Sequence, residues 1–322
     1  SIPYGGYPRL VPTFNRLERG PLVMGRRMGE ERRLQGVHRR LMSGEDTAQS
    51  SNVLKLHAGD AITGTSYYSV FKGEADVAVM KHVCFDAYEM GNHEFDDGDT
   101  NLAAHLDRIA GMGCGTVSLG ANIAPGPDSP LVGKLKPYTV KTYDGMSVGI
   151  VGIDVQLKTM ASSSPDPGTV LLDQTETAQK YIDELKEMGI NKIILLSHIG
   201  YDTNGGGDLQ IAKDLSGVDV IVGGDSHTLL WPTPGKEPFG SAPSSYPTVV
   251  QNKDGEMVCL TQSFEYGHLV GHLEVEFDEK GVVTSCAGTP VVPIGDSSTW
   301  TDADGVALSD DVLTALSTEI KE

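Results

Sequence analysis

Cys84-Phe85-Asp86-Ala87-Tyr88, followed closely by Gly91-Asn92-His93-Glu94-Phe95-Asp96, decides how this chain is read. The first run is apolar enough for a buried strand. The second is a glycine turn followed by an amide, an imidazole and two carboxylates. Three other runs repeat the arrangement. Asn52-Val53-Leu54-Lys55-Leu56-His57-Ala58 leads into Gly59-Asp60, and Lys192-Ile193-Ile194-Leu195-Leu196 into Ser197-His198. Val218-Asp219-Val220-Ile221-Val222 leads into Gly223-Gly224-Asp225-Ser226-His227. Open α/β sheets bind ligands at the carboxyl ends of their strands. Asp, Asn and His supply the oxygen and imidazole donors that hold divalent cations. Four such ends predict one site.

The 322 residues suffice for one large α/β domain or two ordinary ones, and the hydrophobic fraction of 39% supports a proper core. No apolar run is long enough to span a membrane. The opening Ser1-Ile2-Pro3-Tyr4-Gly5-Gly6 lacks the basic and apolar regions of a signal peptide. The net charge of −19 is uneven: nine arginines against three glutamates give +6 up to Arg40, leaving −25 for the remainder. An acidic body argues against a nucleic-acid partner, whose phosphates need Lys and Arg. It also means that an anionic substrate would need cations to neutralise it locally. Cys84, Cys114, Cys259 and Cys286 are scattered, which excludes a zinc ribbon or a Cys-x-x-Cys motif and leaves room for a disulfide.

Residues 18–51 form an atypical basic insertion rich in Arg, Gly and Ser, read as solvated surface sequence. From residue 52 onward strand and helix patterns alternate. A helical period covers residues 67–83, with Gly73 as an interruption, and another covers 101–112. Residues 116–122 read as a strand, and 138–143 and 147–153 as a hairpin around Asp144-Gly145. The 175–188 stretch carries Ala178, Tyr181, Ile182, Leu185 and Met188 on one stripe, with Gly189 as its stop. Antiparallel strands are expected over 249–277 and 282–292, and a last helix over 309–320. Parallel βα units followed by hairpins predict a four-layer α/β/β/α sandwich of two mixed sheets.

Taken as chemistry, Asp60 offers a carboxylate that can bridge two cations, Asn92 an amide oxygen, His198 and His227 imidazole nitrogens, and Asp225 a second carboxylate. Two cations so held clamp the attacking and leaving oxygens of an in-line displacement and acidify a water. His93, with Asp96 three positions on, suits a proton donor or a stabiliser of phosphoryl charge. Glu94 is read as orienting a neighbour or pairing with backbone. His38, His57, His82, His105, His268 and His272 match no motif. Phe264 and Tyr266 are expected to pack in the core.

These four strand ends resemble the ordered motifs of the calcineurin-like metallophosphoesterases. The Gly91–Asp96 run, with Gly5-Gly6-Tyr7-Pro8-Arg9-Leu10 and Leu119-Gly120-Ala121-Asn122-Ile123, narrows the resemblance to the 5′-nucleotidase branch. It covers roughly residues 4–18 and 52–322. The resemblance implies a metal-dependent hydrolase acting on phosphate monoesters, chiefly nucleoside monophosphates, in nucleotide catabolism. It implies two divalent metal ions (Mn, Zn, Mg or Ca), with Asp60 bridging, Asn92 and His198 serving one ion and His227 the other. His93 and Asp96 would form the catalytic dyad, and Asp225 occupies a position the family usually gives to His. Other outcomes on the same fold are a broader phosphatase, a cyclic phosphodiesterase, a sulfur-ester hydrolase or a catalytically silent metal-binding fragment. A periplasmic, secreted or cell-surface location is implied as well.

The chain departs from the family pattern at three places. No Asp-x-His motif precedes Gly5-Gly6, Asp225 replaces a histidine, and no counterpart of the family's C-terminal domain follows Glu322. The expected organisation is therefore a metallophosphoesterase catalytic domain over residues 1–295, then a linker helix over 296–322 leading toward an absent C-terminal domain. Weak or no nucleotidase activity is the corresponding expectation.

Overall fold

The computed structural model describes residues 7–18, 52–203 and 206–293. The arginine-rich insertion and the expected helix at 309–320 lie outside these. A first helix, α1 (Tyr7–Glu18), precedes strand β1 (Leu56–His57), and α2 (Ser66–Phe71) and α3 (Glu74–Val83) come after it. The helical period over 67–83 is thus two helices. Lys72 and Gly73 both take positive φ between them, which ends one helix and starts the next.

Strand β2 (Ala87–Glu89) pairs in parallel with β1 on one side and with β3 (Val117–Leu119) on the other, giving a three-stranded sheet. α4 (Gly98–Ala110) connects β2 to β3 and buries Leu102, Leu106 and Ile109 along one stripe. A two-stranded pair comes next, β4 (Ile123–Ala124) with the later β7 (Val170–Leu171). β5 (Tyr138–Tyr143) and β6 (Met146–Asp154) form the expected hairpin; Asp144 and Gly145 have φ of 48° and 81°, the two left-handed residues such a tight turn needs.

α5 (Gln156–Ser162) leaves the end of β6. α6 (Gln174–Glu187) is capped by the Asp173 carboxylate, which accepts from the Glu176 N–H at 2.8 Å, and Gly189 lies just beyond it at φ 81°. Its fully buried Ile182 and Leu185 each contribute about 1.5–3 kcal/mol by leaving water. β8 (Ile193–His198), α7 (Asp208–Asp214), β9 (Val220–Gly223), β10 (Thr248–Gln251) and β11 (Met257–Gln262) complete a six-stranded mixed sheet of order β10-β11-β9-β8-β6-β5. Within it β6, β8 and β9 run parallel, and near-continuous apolar sequence accounts for their burial. β12 (Val270–Phe277) and β13 (Val283–Val291) form the antiparallel hairpin expected for that region.

Apolar residues segregate by interface. Ala87, Leu119, Ile150, Leu196, Val220 and Cys259 lie in one cluster contributed by both sheets. A second cluster packs α3 and α4 with Tyr88 and Met90 of the smaller sheet's side. A third packs Ala178, Ile182, Leu185, Ile211 and Ala212 against Val151, Leu195 and Ile221 of the larger sheet. Two disulfides form where the sequence left room for one: Cys84–Cys114 and Cys259–Cys286. Each closes a loop of 30 or 27 residues, worth about 3–4 kcal/mol in the chain-entropy description.

Candidate active site

The carboxyl ends of β1 and β8 meet. His198, the last residue of β8, donates from Nδ1 to the Ala58 carbonyl at 2.5 Å, which joins the two sheets and fixes the tautomer. Its Nε2 lies 3.0 Å from Asp60 Oδ2. That approach does not have hydrogen-bond alignment, and Nε2 is buried without a partner. The Asn92 side-chain oxygen is likewise buried and unpartnered. Asp225 Oδ1 stands 3.9 Å from the same Nε2.

Local sequence places these groups. Gly59 and Asp60 turn the chain sharply at φ of 87° and 54°. Asp225 and His227 are left-handed too, at 67° and 52°. Backbone strain of this kind concentrates at functional sites. Gly91 has ordinary φ but no room: a Cβ there would come 2.7 Å from His198 Nε2. Asp60 Oδ1 accepts the backbone N–H of His93 at 2.9 Å, so the first strand end grips the turn that carries Asn92.

Glu94 braces the whole arrangement. Its carboxylate, fully buried, accepts from the N–H groups of Asp60 (2.9 Å), Ala61 (2.7 Å) and Gly91 (2.7 Å) and from the Tyr88 hydroxyl (2.5 Å). Pairing with backbone, one of the two roles read from sequence, is what these bonds display. Gln262 performs the same service for the other loop: Nε2 donates to the Gly224 carbonyl at 2.7 Å and Oε1 accepts from Thr228 N–H. Asn122 exchanges two bonds with the backbone of Asp154, at 2.8 and 3.0 Å, and so fixes the end of β6.

Electrostatically the centre is polarised. Burial opposes a charge on His198, but the Asp60 carboxylate beside it outweighs that and raises its pKa. Burial likewise opposes a charge on Asp60, yet the His198 charge holds its carboxyl below the usual range. Below them Glu89 and Asp154 are fully buried, and burial pushes both well above the carboxylate range. Asp208, which accepts from Ser197 Oγ at 2.7 Å, is pushed up to about 7 by burial.

Of the seven site residues expected from sequence, Asp60, Asn92, His198 and Asp225 gather at this edge. His93 stands at its rim, half exposed, with Nδ1 at 2.7 Å from Asp96 Oδ2. A carboxylate only accepts, so the proton sits on Nδ1 and Nε2 is the free ring atom. His227 pairs with Glu265: its Nδ1 lies 3.0 Å from Oε2, and the ring meets Tyr266 edge-on at 5.2 Å. Tyr266 is 77% exposed rather than packed in the core, whereas Phe264 packs with Leu229, Ala242 and Leu269. Lys158 of α5 pairs with Asp225, a partner that sequence alone does not single out. A signal exists all the same, since the Ile150–Asp154 run also ends in a carboxylate at a strand end.

Among the described residues no three His, Cys, Asp or Glu side chains are arranged to hold a metal ion by themselves. With the Asn92 oxygen added, Asp60 and His198 make a carboxylate, imidazole and amide set that fits one divalent cation. The two orphaned buried atoms are the observation behind that fit.

No family model matches the chain. Individual relatives do. The chain is 40% identical over 247 residues to a probable 5′-nucleotidase of Treponema pallidum, covering 76% of this chain and 40% of that protein. It is 40% identical over 245 residues to the NAD 5′-nucleotidase of Haemophilus influenzae, covering 75% and 38%. Among solved structures, a 5′-nucleotidase precursor of Thermus thermophilus superposes with a TM-score of 0.74 at 34% identity, over 99% of this chain and 53% of that one. The Haemophilus influenzae NAD nucleotidase gives 0.75 at 32%, over 99% and 56%. A calcineurin-like phosphoesterase of Bacillus subtilis shares the fold at 19% identity and a TM-score of 0.55. The chain spans about two fifths of the length of the curated relatives it matches.

Proposed function

The chain is a homologue of the 5′-nucleotidases on the calcineurin-like phosphoesterase fold, and we propose that its strand-end centre binds a divalent cation and hydrolyses phosphate monoesters of nucleotides. The observation that carries this is the approach of Asp60 and His198 to 3.0 Å, with the Asn92 side-chain oxygen buried and unpartnered in the turn whose next N–H Asp60 accepts, and with the His93–Asp96 pair at the rim.

Asp60, Asn92 and His198 would hold the cation, with Asp225 beside them. Bound there, it would supply Lewis acidity to a phosphoryl oxygen and a more acidic water. The chain's own residues do the rest. The Ala58 carbonyl fixes His198 so that its Nε2 points inward. Glu94 keeps Asp60 and Gly91 in register. Asp96 orients His93 through Nδ1, and the ring, when protonated at Nε2, hands a proton to the departing nucleoside oxygen. That proton transfer contributes about 10²–10⁴-fold in rate for a group positioned in this way.

The nucleotide as substrate is carried over from the names of the relatives, and a second cation from the family resemblance alone; the residues for a second cation do not converge among the described ones. The two disulfides suit an oxidising compartment, which supports a periplasmic, secreted or surface location. No helix among the described residues is long and apolar enough to cross a membrane.

The test is hydrolysis of AMP and of p-nitrophenyl phosphate with Mn²⁺ added, on the full chain and on His93→Ala. Release of phosphate that Mn²⁺ stimulates and His93→Ala suppresses is the expected result. Equal rates for both proteins, or no phosphate released beyond buffer, would overturn the proposal.

A further inference from the structure

The place beside Asp225 is already occupied by a cation of the chain itself. β6 ends at Asp154, in register with His198 of β8, so the segment leaving β6 rises from the same edge as the candidate centre. Asp154 anchors that segment: its Oδ1 accepts the Val155 N–H at 2.7 Å and its Oδ2 the Thr159 hydroxyl at 2.9 Å. Gln156 ties it again, donating from Nε2 to the Leu171 carbonyl at 3.0 Å. α5 is therefore held, and its residue Lys158 directs its ammonium onto Asp225 Oδ1. The lysine is 43% exposed, its partner only 7%. Asp225 Oδ1 is the atom that also faces His198 Nε2.

The other residue expected to serve a second ion, His227, pairs with Glu265 through a side chain that is 43% exposed, a partner it can exchange once Asp225 is freed. The ammonium on Asp225 Oδ1 takes up acceptor capacity of that oxygen and repels a divalent cation brought to it. Resting on the reading of the centre as a cation site, we propose that Lys158 is a specificity-determining residue: it substitutes for one of two cations. The centre then takes a single divalent ion at Asp60, Asn92 and His198. Lys158 supplies the second positive charge, available from its exposed side to a phosphoryl oxygen as a compact point charge.

Calorimetric titration of the full chain with Mn²⁺ tests this, alongside Lys158→Met and Lys158→Arg. Both substitutions lie on an exposed side chain, and the arginine keeps the charge. Wild type and Lys158→Arg are expected to take up one Mn²⁺ per chain. Lys158→Met is expected to take up two, with the electron paramagnetic resonance signal of an isolated ion replaced by that of a coupled pair. Two ions in wild type, or one in Lys158→Met, would overturn the role of Lys158 while leaving the cation site standing. No Mn²⁺ uptake by any of the three would overturn the cation site and the role of Lys158 with it.

Discussion

Glu94 accepts the backbone N–H of Asp60 at 2.9 Å across 34 residues of sequence, and with the same oxygen the N–H of Gly91 at 2.7 Å. One carboxylate thereby sets the spacing between two strand ends whose own ladder stops at His57 and Tyr88. Burial raises its pKa, and the nearby Asp60 charge adds to that, while the Tyr88 hydroxyl works in the other direction. In Glu94→Gln an amide NH₂ faces an N–H or hydroxyl donor, leaving at least one buried donor unmatched. Stability is expected to fall by about 1–3 kcal/mol and Mn²⁺ affinity by about 10–100-fold. Denaturant unfolding and calorimetry read the two separately; an unchanged affinity would show that the brace does not reach the donors.

His93 makes no burial contribution, being half exposed, and its ring is held by Asp96 at 2.7 Å. His93→Ala is therefore expected to fold and to bind Mn²⁺ like the wild type, with turnover reduced about 10²–10⁴-fold. Asp96→Asn should lose less, since the ring remains but its proton is no longer held on Nδ1 by a charged acceptor. Steady-state rates on p-nitrophenyl phosphate at saturating Mn²⁺ decide the order; a larger loss in Asp96→Asn would reverse the assigned roles.

Much of this site is legible in the order of the residues, and the reason is physical. Asp60 and Asn92 follow apolar runs of the smaller sheet, and His198 and Asp225 end or follow runs of the larger. The parallel strands of each sheet bring their own ends to one edge, and the His198–Ala58 bond joins the two edges. The β5–β6 hairpin is equally plain, because Asp144-Gly145 is the sequence a two-residue turn requires. Direction is what the residue order does not carry. His227 sits in the right loop, yet a left-handed backbone turns it toward Glu265, which lies just beyond β11, the strand paired with β9. Lys158 belongs to no motif at all. It is identified by where α5 leaves the sheet, and that depends on Asp154 holding its first turn. The helical period over 67–83 conceals a break because Lys72, not only Gly73, takes the left-handed conformation.

His105 tests the core beneath α4. It is fully buried, both ring nitrogens lack a hydrogen-bond partner among the described residues, and its ring lies 6.0 Å from Tyr88. Burial lowers its pKa to about 4, with the Arg108 and His57 charges adding to the effect. An unfolded histidine titrates near 6.5, so the folded value lies below the unfolded one. The neutral ring's share of stability is present above that unfolded value and is lost as pH falls from there to the folded one, amounting to about 3 kcal/mol. His105→Leu removes this dependence and the unpartnered nitrogens together. Its unfolding free energy is expected to exceed that of wild type at neutral pH by about 1 kcal/mol, and the gap should widen on acidification to about pH 4.5. Parallel pH profiles for the two proteins would refute the assignment.

Gly91 offers the sharpest test of the centre, because the structure leaves no volume at its α-carbon for anything larger. A methyl there would stand 2.7 Å from both Cε1 and Nε2 of His198, and in contact with Asp60 Oδ1. These atoms cannot yield cheaply: Nδ1 of His198 is bound to Ala58, and Asp60 is held through its own N–H by Glu94. Gly91→Ala must then push apart the two donors that lie 3.0 Å from each other. Overpacking of this kind costs about 1–3 kcal/mol, small enough for the chain to remain folded by circular dichroism. Cation uptake should suffer far more, with Mn²⁺ affinity reduced at least tenfold, because a displacement of about 1 Å exceeds the tolerance of about 0.2 Å in metal-ligand distances. A Gly91→Ala protein that is folded and still binds Mn²⁺ with wild-type affinity would show that Asp60 and His198 do not hold the ion.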